Sequence, residues 1–485
     1  MLSSSTNAIL KSLSLQELKR FGDFIKSPYF NPSLSHHIIF DIVLRSFPEF
    51  NSDSLSNENL AKKIFPNEVN KEKRVNNLCS EFGNLLRKFL GYEDLNERTF
   101  DLDVNIAQGL AKKQLFELSN KFINKNLEQK NTGFITDDLK YSFRDRMNLQ
   151  KVTNIGQIGE TIEDLNDINM KIQENKIVMI LRDTYAAGNM EFLTDSFFGK
   201  EIKKSLNTAF LDSIDSNKFL DHLKASNNKY YSYLKIAYLL FYYSANDISP
   251  EQYFELKNEI LKTIYKIDKW EAYTILVRAN EIILLKLIPV DAVYNREVFE
   301  FSKIFCDLKI FPDHAQHPLQ IGVFRDMFNP ALVLKEYEWA EYFANEYIPY
   351  LNEEYRETEL NYCNGVLNFK KGKYEDSLYM LSKVKADYIL IKVNIRFYFL
   401  MNYIELKAFE SARSALHAFR QFYKDNEEIP KVYYIRIYDA LKYLNEINKC
   451  LEEGTKFDQY LYNEANDGRK YFHSIYIKEK IEKLI

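Results

Sequence analysis

Few residues of this sequence have the types and spacing that metal binding requires. His314 and His317, within PDHAQHP, are three residues apart and follow Asp313, a spacing at which side chains can share a metal ion. Prolines at both ends of this stretch predict a loop, and the neighbouring sequence offers no third ligand. An ordinary loop is therefore the favoured interpretation, and a metal contact is the minor one. The adjacent His36 and His37 point to different sides of any helix and make poor co-ligands.

Two clusters of acidic residues could supply a general acid and a general base. One consists of Glu160, Glu163, Asp164 and Asp167, and the other of Glu353, Glu354, Glu357 and Glu359 around Arg356. In the first cluster the apolar neighbours take the opposite helical face, which is typical of a solvated surface. Catalysis by paired carboxylates requires burial that raises one pKa, and neither stretch indicates burial. Both clusters are predicted to lie at the surface.

The sequence lacks the local motifs of the common enzyme classes. It has no GxGxxG, GxxxxGK[ST], HExxH or GxSxG stretch. The cysteines lie far apart, without a basic neighbour that would activate a thiol, and are predicted to be reduced: Cys79, Cys306, Cys363 and Cys450. We expect no enzyme activity, no cofactor, and no catalytic or metal-binding residue. An enzyme site assembled from distant residues is the least favoured alternative.

Composition and apolar spacing predict helices almost throughout the chain. Of 485 residues, 46% are hydrophobic and 28% are charged, which is typical of a folded globular protein. Only 14 glycines and 11 prolines are present, too few turn formers for a large all-β protein. Apolar residues recur every three or four positions, as in Ile158, Ile162, Leu165 and Ile168. Asp387–Leu406 is apolar nearly all round and must be enclosed by other helices.

No segment is predicted to enter a membrane. The most apolar stretch, Tyr230–Ser244, is shorter than the roughly 20 residues a span needs and contains Lys235. Met1–Leu15 has no uninterrupted apolar run of the kind a signal peptide requires. The net charge of −4 provides no overall field that attracts nucleic acid or an anionic membrane. We expect a cytoplasmic protein.

Three zones differ in character along the chain. Residues 1–95 are predicted to form a compact helical head, residues 96–225 a region of longer and more polar helices, and residues 226–485 a region of denser, aromatic-rich helical pairs. No long Gly/Ser or Pro linker separates them, so the boundaries are approximate.

A four-residue pattern recurs in the third zone. An aromatic residue is followed by an acidic residue, any residue and a small residue at Tyr337–Ala340, Tyr374–Ser377 and Phe409–Ala412, 37 and 35 residues apart. A period near 34 residues is typical of tetratricopeptide repeats, which are helix-turn-helix units. Small residues such as Gly365 let two helices approach closely, and copies stack because one pair cannot bury its own face. The predicted fold is therefore an all-α, tetratricopeptide-like solenoid with an N-terminal helical head, its clearest pairs around residues 325–425.

The chain as a whole resembles an uncharacterised family of all-helical, tetratricopeptide-like proteins of Bacteroidota-type bacteria. The residues that carry the resemblance are Leu15–Asn31 (LQELKRFGDFIKSPYFN), Asn59–Leu90 and Tyr403–Leu406. It implies the helical architecture and no catalytic residues, since that family has no established activity. Asn361 and Asn368 depart from the repeat pattern, because large apolar residues are usual at those positions.

The first functional hypothesis is a non-enzymatic protein that binds another protein or a peptide. In stacked helical pairs, the first helices line a concave groove that can hold a partner's extended segment or helix. The residues predicted to contact the partner are Tyr362, Phe369, Lys370, Phe397 and Tyr398. For each aromatic residue, core packing is the alternative. The sequence leaves open whether Gly468–Leu484 caps the array or fills its groove.

The second hypothesis is a transcriptional regulator with a DNA-binding head and sensing repeats. A short helix over Ser56–Phe65, a break at Pro66 and a long helix over Lys71–Leu90 are typical of a helix-turn-helix. The residues that would contact DNA phosphates are Lys71, Lys73, Arg74, Arg87 and Lys88.

A purely structural interpretation of the head competes with DNA binding. Here the basic residues are merely solvated, and the long helix presents a core face made of Val75, Leu78, Phe82, Leu85 and Phe89. Residues 1–95 contain twelve basic and eleven acidic side chains, a net charge of +1, which is a weak footprint for DNA.

Overall fold

The chain folds into helices joined by short turns. A computed structural model describes residues 2–50, 55–65, 71–129, 138–158, 162–198, 205–313, 318–385, 389–426, 429, 431–468 and 471–485. These residues contain no β-strand, so the all-α prediction is confirmed. Within the same residues, no helix is long and apolar enough to cross a membrane.

Residues 1–132 with 138–172 form one compact unit, and residues 173–485 belong to a second. The helices of the first unit are α1 (Ser4–Ser12), α2 (Leu15–Lys26), α3 (Ser35–Arg45), α4 (Asn57–Ile64), α5 (Lys71–Glu97), α6 (Thr99–Lys112), α7 (Phe116–Gln129) and α8 (Asp138–Ile158). Helix α9 (Ile162–Phe198) begins in the first unit and continues into the second.

The described residues of the first unit form two separate apolar cores. One joins buried residues between Leu2 and Phe89, and the ring of Phe21 on α2 lies 5.5 Å from Phe82 on α5. The other joins residues of α6, α7 and α8 around Ile123 and Met147. Helix α2 begins at a capping box, in which Ser14 Oγ accepts from the Glu17 amide and Glu17 accepts from the Ser14 amide.

The second unit is larger and has one continuous apolar core. Its further helices are α10 (Leu206–Ser213), α11 (Ser216–Ala225), α12 (Tyr231–Ala245), α13 (Pro250–Thr263), α14 (Lys269–Ile282), α15 (Asn295–Leu308), α16 (Ile310–Asp313), α17 (Ile321–Val333), α18 (Tyr337–Tyr347), α19 (Glu353–Lys370), α20 (Tyr374–Ser382), α21 (Ile389–Glu405), α22 (Phe409–Asp425), α23 (Lys431–Glu453), α24 (Gln459–Ala465) and α25 (Ser474–Glu482). A π-helical turn at Ile283–Leu287 continues α14, and short 3-10 turns lie at Ala292–Tyr294 and Ile348–Tyr350.

The turns between α17 and α18, α19 and α20, and α21 and α22 share one conformation. In each, the residue two positions before the aromatic start of the second helix has a left-handed backbone: Lys335 (φ 61°), Gly372 (φ 76°) and Lys407 (φ 55°). In each turn, the amide of the residue that follows donates to the carbonyl five residues before it, with N···O distances of 2.8, 2.8 and 2.9 Å. Such bonds satisfy carbonyls that a helix end leaves free.

The small residues of the repeated pattern lie buried between paired helices. Ala340, Ser377 and Ala412 are fully buried. Gly365 of α19 faces α20 so closely that a Cβ atom there would lie 2.6 Å from Leu381 Cγ. The expected close approach at Gly365 is therefore observed. The expected enclosure of the apolar helix is observed too, since α21 buries residues on all sides.

The turn and the four-residue pattern also occur together in the first unit, between α6 and α7. Gln114 has φ 62°, and the Leu115 amide donates to the Leu110 carbonyl 3.1 Å away. The aromatic residue two positions later opens Phe116-Glu117-Leu118-Ser119, which matches the pattern of the three C-terminal copies. Ser119 is fully buried, and its Oγ donates to the Ala107 carbonyl of α6 at 2.9 Å. The α6–α7 pair is therefore built like the C-terminal pairs.

Candidate functional site

The five residues predicted to line a groove lie together on α19 and α21. Tyr362, Phe369 and Lys370 belong to α19, and Phe397 and Tyr398 to α21. The Phe369 and Tyr398 rings are 5.3 Å apart. We call these five residues the α19–α21 face.

The α19–α21 face is covered, whereas the sequence analysis placed it on an open groove. Its four aromatic residues are at most 6% exposed, and Lys370 is half-buried. Residues 471–485 of the same chain, which we call the C-terminal segment, form part of this cover. Helix α22 forms another part, since the Phe419 ring lies 4.7 Å from Phe397. This segment also packs on α23, where Tyr433 lies 5.9 Å from Phe472 and Tyr443 lies 4.9 Å from Tyr471, so its contacts fit both roles that the sequence left open.

Aromatic contacts hold the beginning of the C-terminal segment on this face. The Phe472 ring stacks on Phe397, with centroids 5.4 Å apart. The His473 ring lies 5.1 Å from both Phe397 and Tyr398. One helical turn later, Tyr476 lies 5.6 Å from Phe369. Aromatic anchors in desolvated pockets are the contacts that contribute most to protein interfaces.

A chain of polar side chains crosses the same interface. His473 Nε2 lies 2.8 Å from Asn394 Oδ1, and Asn394 Nδ2 donates to the Tyr362 hydroxyl at 2.6 Å. Because an amide oxygen only accepts, Nε2 of the neutral imidazole carries the proton. Burial, with a smaller contribution from the nearby Lys370 ammonium, lowers the pKa of His473 to about 3. The imidazole is therefore neutral at physiological pH.

Further bonds fix the end of the C-terminal segment. Lys480 Nζ of α25 lies 2.7 Å from Glu405 Oε2 of α21. The Leu484 carbonyl accepts from the Phe457 amide at 2.9 Å. His473, which precedes α25, adopts a left-handed backbone with φ 54°. The segment is thus bound by ring packing at its start and by polar bonds towards its end.

A buried ion pair lies beside the α19–α21 face. Arg325 of α17 donates from Nε to Glu359 Oε2 at 2.9 Å, and a second bond joins Nη2 to Oε1. Glu359 is fully buried, so the prediction that it lies at the surface with its acidic neighbours was wrong. The sequence concealed its partner, because Arg325 is 34 residues away. Such two-point pairing fixes geometry as well as charge.

Two further carboxyl groups of the second unit have raised pKa values. Burial raises the pKa of Glu281 on α14 to about 7, and the nearby Arg278 lowers it only in part. Burial, with a smaller contribution from Glu281, also raises the pKa of Asp326 on α17 to about 7. Glu281 Oε2 is buried and accepts no hydrogen bond. These groups can exchange protons near neutral pH.

The residues predicted to contact DNA lie along α5, a helix that extends seven residues beyond its predicted end. Its predicted core face is buried at Val75, Phe82, Leu85 and Phe89 and partly buried at Leu78. The side chain of Lys71 and the break at Pro66 lie outside the described part of the chain.

Two of the basic side chains on α5 make contacts within the head. The Arg74 guanidinium lies 4.4 Å from the centre of the Phe65 ring. Arg87 donates to Asn84 at 3.0 Å and to Ser5 at 3.3 Å. Lys73 and Lys88 are exposed. They are 15 residues apart, about 22 Å along a helix.

Only one of the two histidine pairs considered as metal ligands lies within the described residues. His314 and His317 lie outside the described residues. His36 Nδ1 bonds Asn31 at 2.9 Å, whereas His37 Nε2 bonds the Ile25 carbonyl at 3.1 Å, so the two rings serve different partners as expected. Where side chains are described, no three His, Cys, Asp or Glu residues are arranged to hold a metal ion.

Comparison with known proteins adds no relative. No family model, curated protein or solved structure matches the chain. The resemblance to tetratricopeptide-like bacterial proteins therefore stays a prediction.

Proposed function

We propose that this chain is a non-enzymatic helical-repeat protein that binds another protein through the α19–α21 face. One observation carries the proposal: the face holds a segment that contains a helix, the chain's own C-terminal segment. The segment is bound by three aromatic or imidazole rings, one side-chain hydrogen bond and one ion pair. These are the contacts by which grooves recognise helical peptides.

The repeated turns support the helical-repeat part of the proposal. Three consecutive helix pairs share a left-handed turn residue, a five-residue hydrogen bond and a buried small residue. Repeats of this kind stack and present their first helices on one side. Both α19 and α21 are first helices, so a partner segment on them would lie across successive repeats.

In this proposal the C-terminal segment and the partner compete for one site. A partner segment with an aromatic residue at the position of Phe472 and a hydrogen-bond donor at the position of His473 would repeat the contacts made within the chain. The affinity observed for the partner would fall in proportion to the fraction of time that the segment covers the face.

The test is affinity capture from a lysate of cells that make the protein, split into nuclease-treated and untreated halves. The eluent is a synthetic peptide of residues 471–485, and the control eluent carries Phe472→Ala and His473→Ala. We expect a protein that survives nuclease and is released by the first peptide alone. Capture that depends on nucleic acid, or release by both peptides alike, would contradict the proposal and favour the DNA-binding hypothesis or a different surface.

A further inference from the structure

A cavity of about 340 Å³ lies between α25 and the ends of α17 and α19. Apolar and aromatic side chains form part of its wall, including Leu332, Tyr337 and Tyr374. The charged side chains that line it are Lys335, Lys370, Glu405, Glu479, Lys480 and Lys483. Four lysines and two glutamates give the lining a net charge of +2. The chain as a whole carries −4, so the positive charge here is local.

The charges of this lining are incompletely paired within the chain. Lys480 Nζ forms an ion pair with Glu405 Oε2, 2.7 Å away. Lys370 is half-buried and forms no ion pair or hydrogen bond with any described residue. Two charged side chains of the lining act on it, Glu479, which favours the ammonium, and Lys335, which opposes it. Burial lowers the pKa of Lys370. A half-buried ammonium has lost part of its hydration, and an anion that binds in place of the lost water stabilises its charge.

A hydroxyl group adds a further donor at the same place. Tyr476 Oη is buried and makes no hydrogen bond of normal geometry, although Glu405 lies close to it. The donors thus come from two parts of the chain, the C-terminal segment and the helices beneath it. A bound anion would contact both.

We infer that this cavity binds the phosphate group of a small phosphomonoester. A phosphomonoester carries a charge of about −1.5 to −2 at neutral pH and three strong acceptor oxygens. This charge matches the net +2 of the lining, whereas a monocarboxylate leaves one lysine without a counter-charge. The aromatic and apolar wall suits a compact organic body attached to the phosphate, and the volume falls within the range of small-molecule sites.

The experiment is titration calorimetry of the full chain with phenyl phosphate, inorganic phosphate and benzoate at constant ionic strength. We expect saturable binding of both phosphates, with phenyl phosphate bound at least about tenfold more tightly than benzoate. Lys370→Met keeps the apolar stem and should weaken phosphate binding at least about tenfold. Lys373→Met, an exposed lysine three residues later and outside the cavity, is the matched control and should bind normally.

Three results would overturn the inference: no saturable phosphate binding, equal binding of benzoate, or unchanged binding by Lys370→Met. If Lys370→Met fails to fold, Lys335→Met replaces it, because Lys335 is exposed and its loss removes no buried group. The inference does not depend on the proposed partner, and none of these measurements uses one.

Discussion

His473 Nε2 and Asn394 Oδ1 lie 2.8 Å apart and join the C-terminal segment to α21. Asn394 also donates to the Tyr362 hydroxyl of α19, so three side chains from three elements form one partly buried chain of hydrogen bonds. Loss of any member leaves a buried polar group without its partner, which costs about 1–3 kcal/mol. His473 is therefore the residue by which the docking of the segment can be controlled experimentally.

Acid should release the C-terminal segment through His473. Its pKa is about 3 in the folded chain, below the ordinary value of 6.5. The unfolded chain therefore binds more protons between these values, so the contribution of His473 to stability is complete above pH 6.5 and falls as the pH drops towards 3. The expected slope is about 1.4 kcal/mol per pH unit. Chemical denaturation at a series of pH values measures it.

The control for this prediction is His473→Gln, which keeps a side-chain donor but does not titrate. We expect the difference in unfolding free energy between wild type and variant to depend on pH in this window only. Subtraction removes the contributions of Glu281 and Asp326, which titrate in both proteins. A difference that stays constant from pH 4 to pH 7 would show that His473 is not buried as a neutral imidazole.

The Arg325–Glu359 pair should be strongly sensitive to removal of one partner. Glu359→Met or Arg325→Met leaves the other group without its counter-charge and should cost about 3–5 kcal/mol in the free energy of unfolding. The double variant Arg325→Met, Glu359→Met should recover a large part of this loss, because it removes both buried charges. Urea denaturation of the four proteins completes a double-mutant cycle. Additive losses would contradict direct pairing.

Gly365→Ala should destabilise the α19–α20 pair. In an exposed helix the change from glycine to alanine stabilises by roughly 0.5–1 kcal/mol. At Gly365 the new Cβ would lie 2.6 Å from Leu381 Cγ, so the Leu381 side chain or the helices must shift, at a cost of about 1–3 kcal/mol. The matched control is Gly322→Ala on α17, where no atom lies within 4 Å. Thermal unfolding of both variants checks the prediction, and equal shifts would refute the close packing.

Asp326→Asn should stabilise the chain more in alkaline than in acidic solution. Burial raises the folded pKa of Asp326 from 3.8 to about 7, so its stabilising contribution is complete below pH 3.8, declines as the pH rises above this value and is lost by about pH 7. Above that pH the buried carboxylate lies near Glu281, and an amide avoids both the burial of charge and the repulsion. Unfolding at about pH 5 and about pH 8.5 measures the difference. A gain of the same size at both would rule out titration as the cause.

Local features of the fold could be predicted from the sequence because local pattern determines them. The spacing of apolar residues predicted the helices, and the aromatic–acidic–small pattern located three helix pairs. The fourth copy at Phe116–Ser119 carries the same pattern, yet it stands alone in its zone, without a second copy at a fixed distance. A repeat period cannot reveal an isolated pair.

The contacts that define the candidate site could not be predicted, because they join distant parts of the chain. Asn394 and His473 are 79 residues apart, and Arg325 and Glu359 are 34 apart. Nothing in the neighbourhood of His473 distinguishes it from any other histidine. The five residues predicted to line a groove lie on α19 and α21, and they are buried or half-buried because distant parts of the chain, residues 471–485 among them, pack on them.

The central claim is that the α19–α21 face binds a segment from outside the chain when its own segment leaves. The most direct measurement is fluorescence anisotropy of a labelled peptide of residues 471–485 with three full-length proteins: wild type, Phe472→Ala with His473→Ala, and Glu482→Ala. Glu482 is exposed on the same segment, so its variant is the matched control. We predict that the double variant binds the peptide at least about tenfold more tightly than the other two, because its face is open more often. Equal affinity for all three proteins, or no binding by any of them, would contradict the claim.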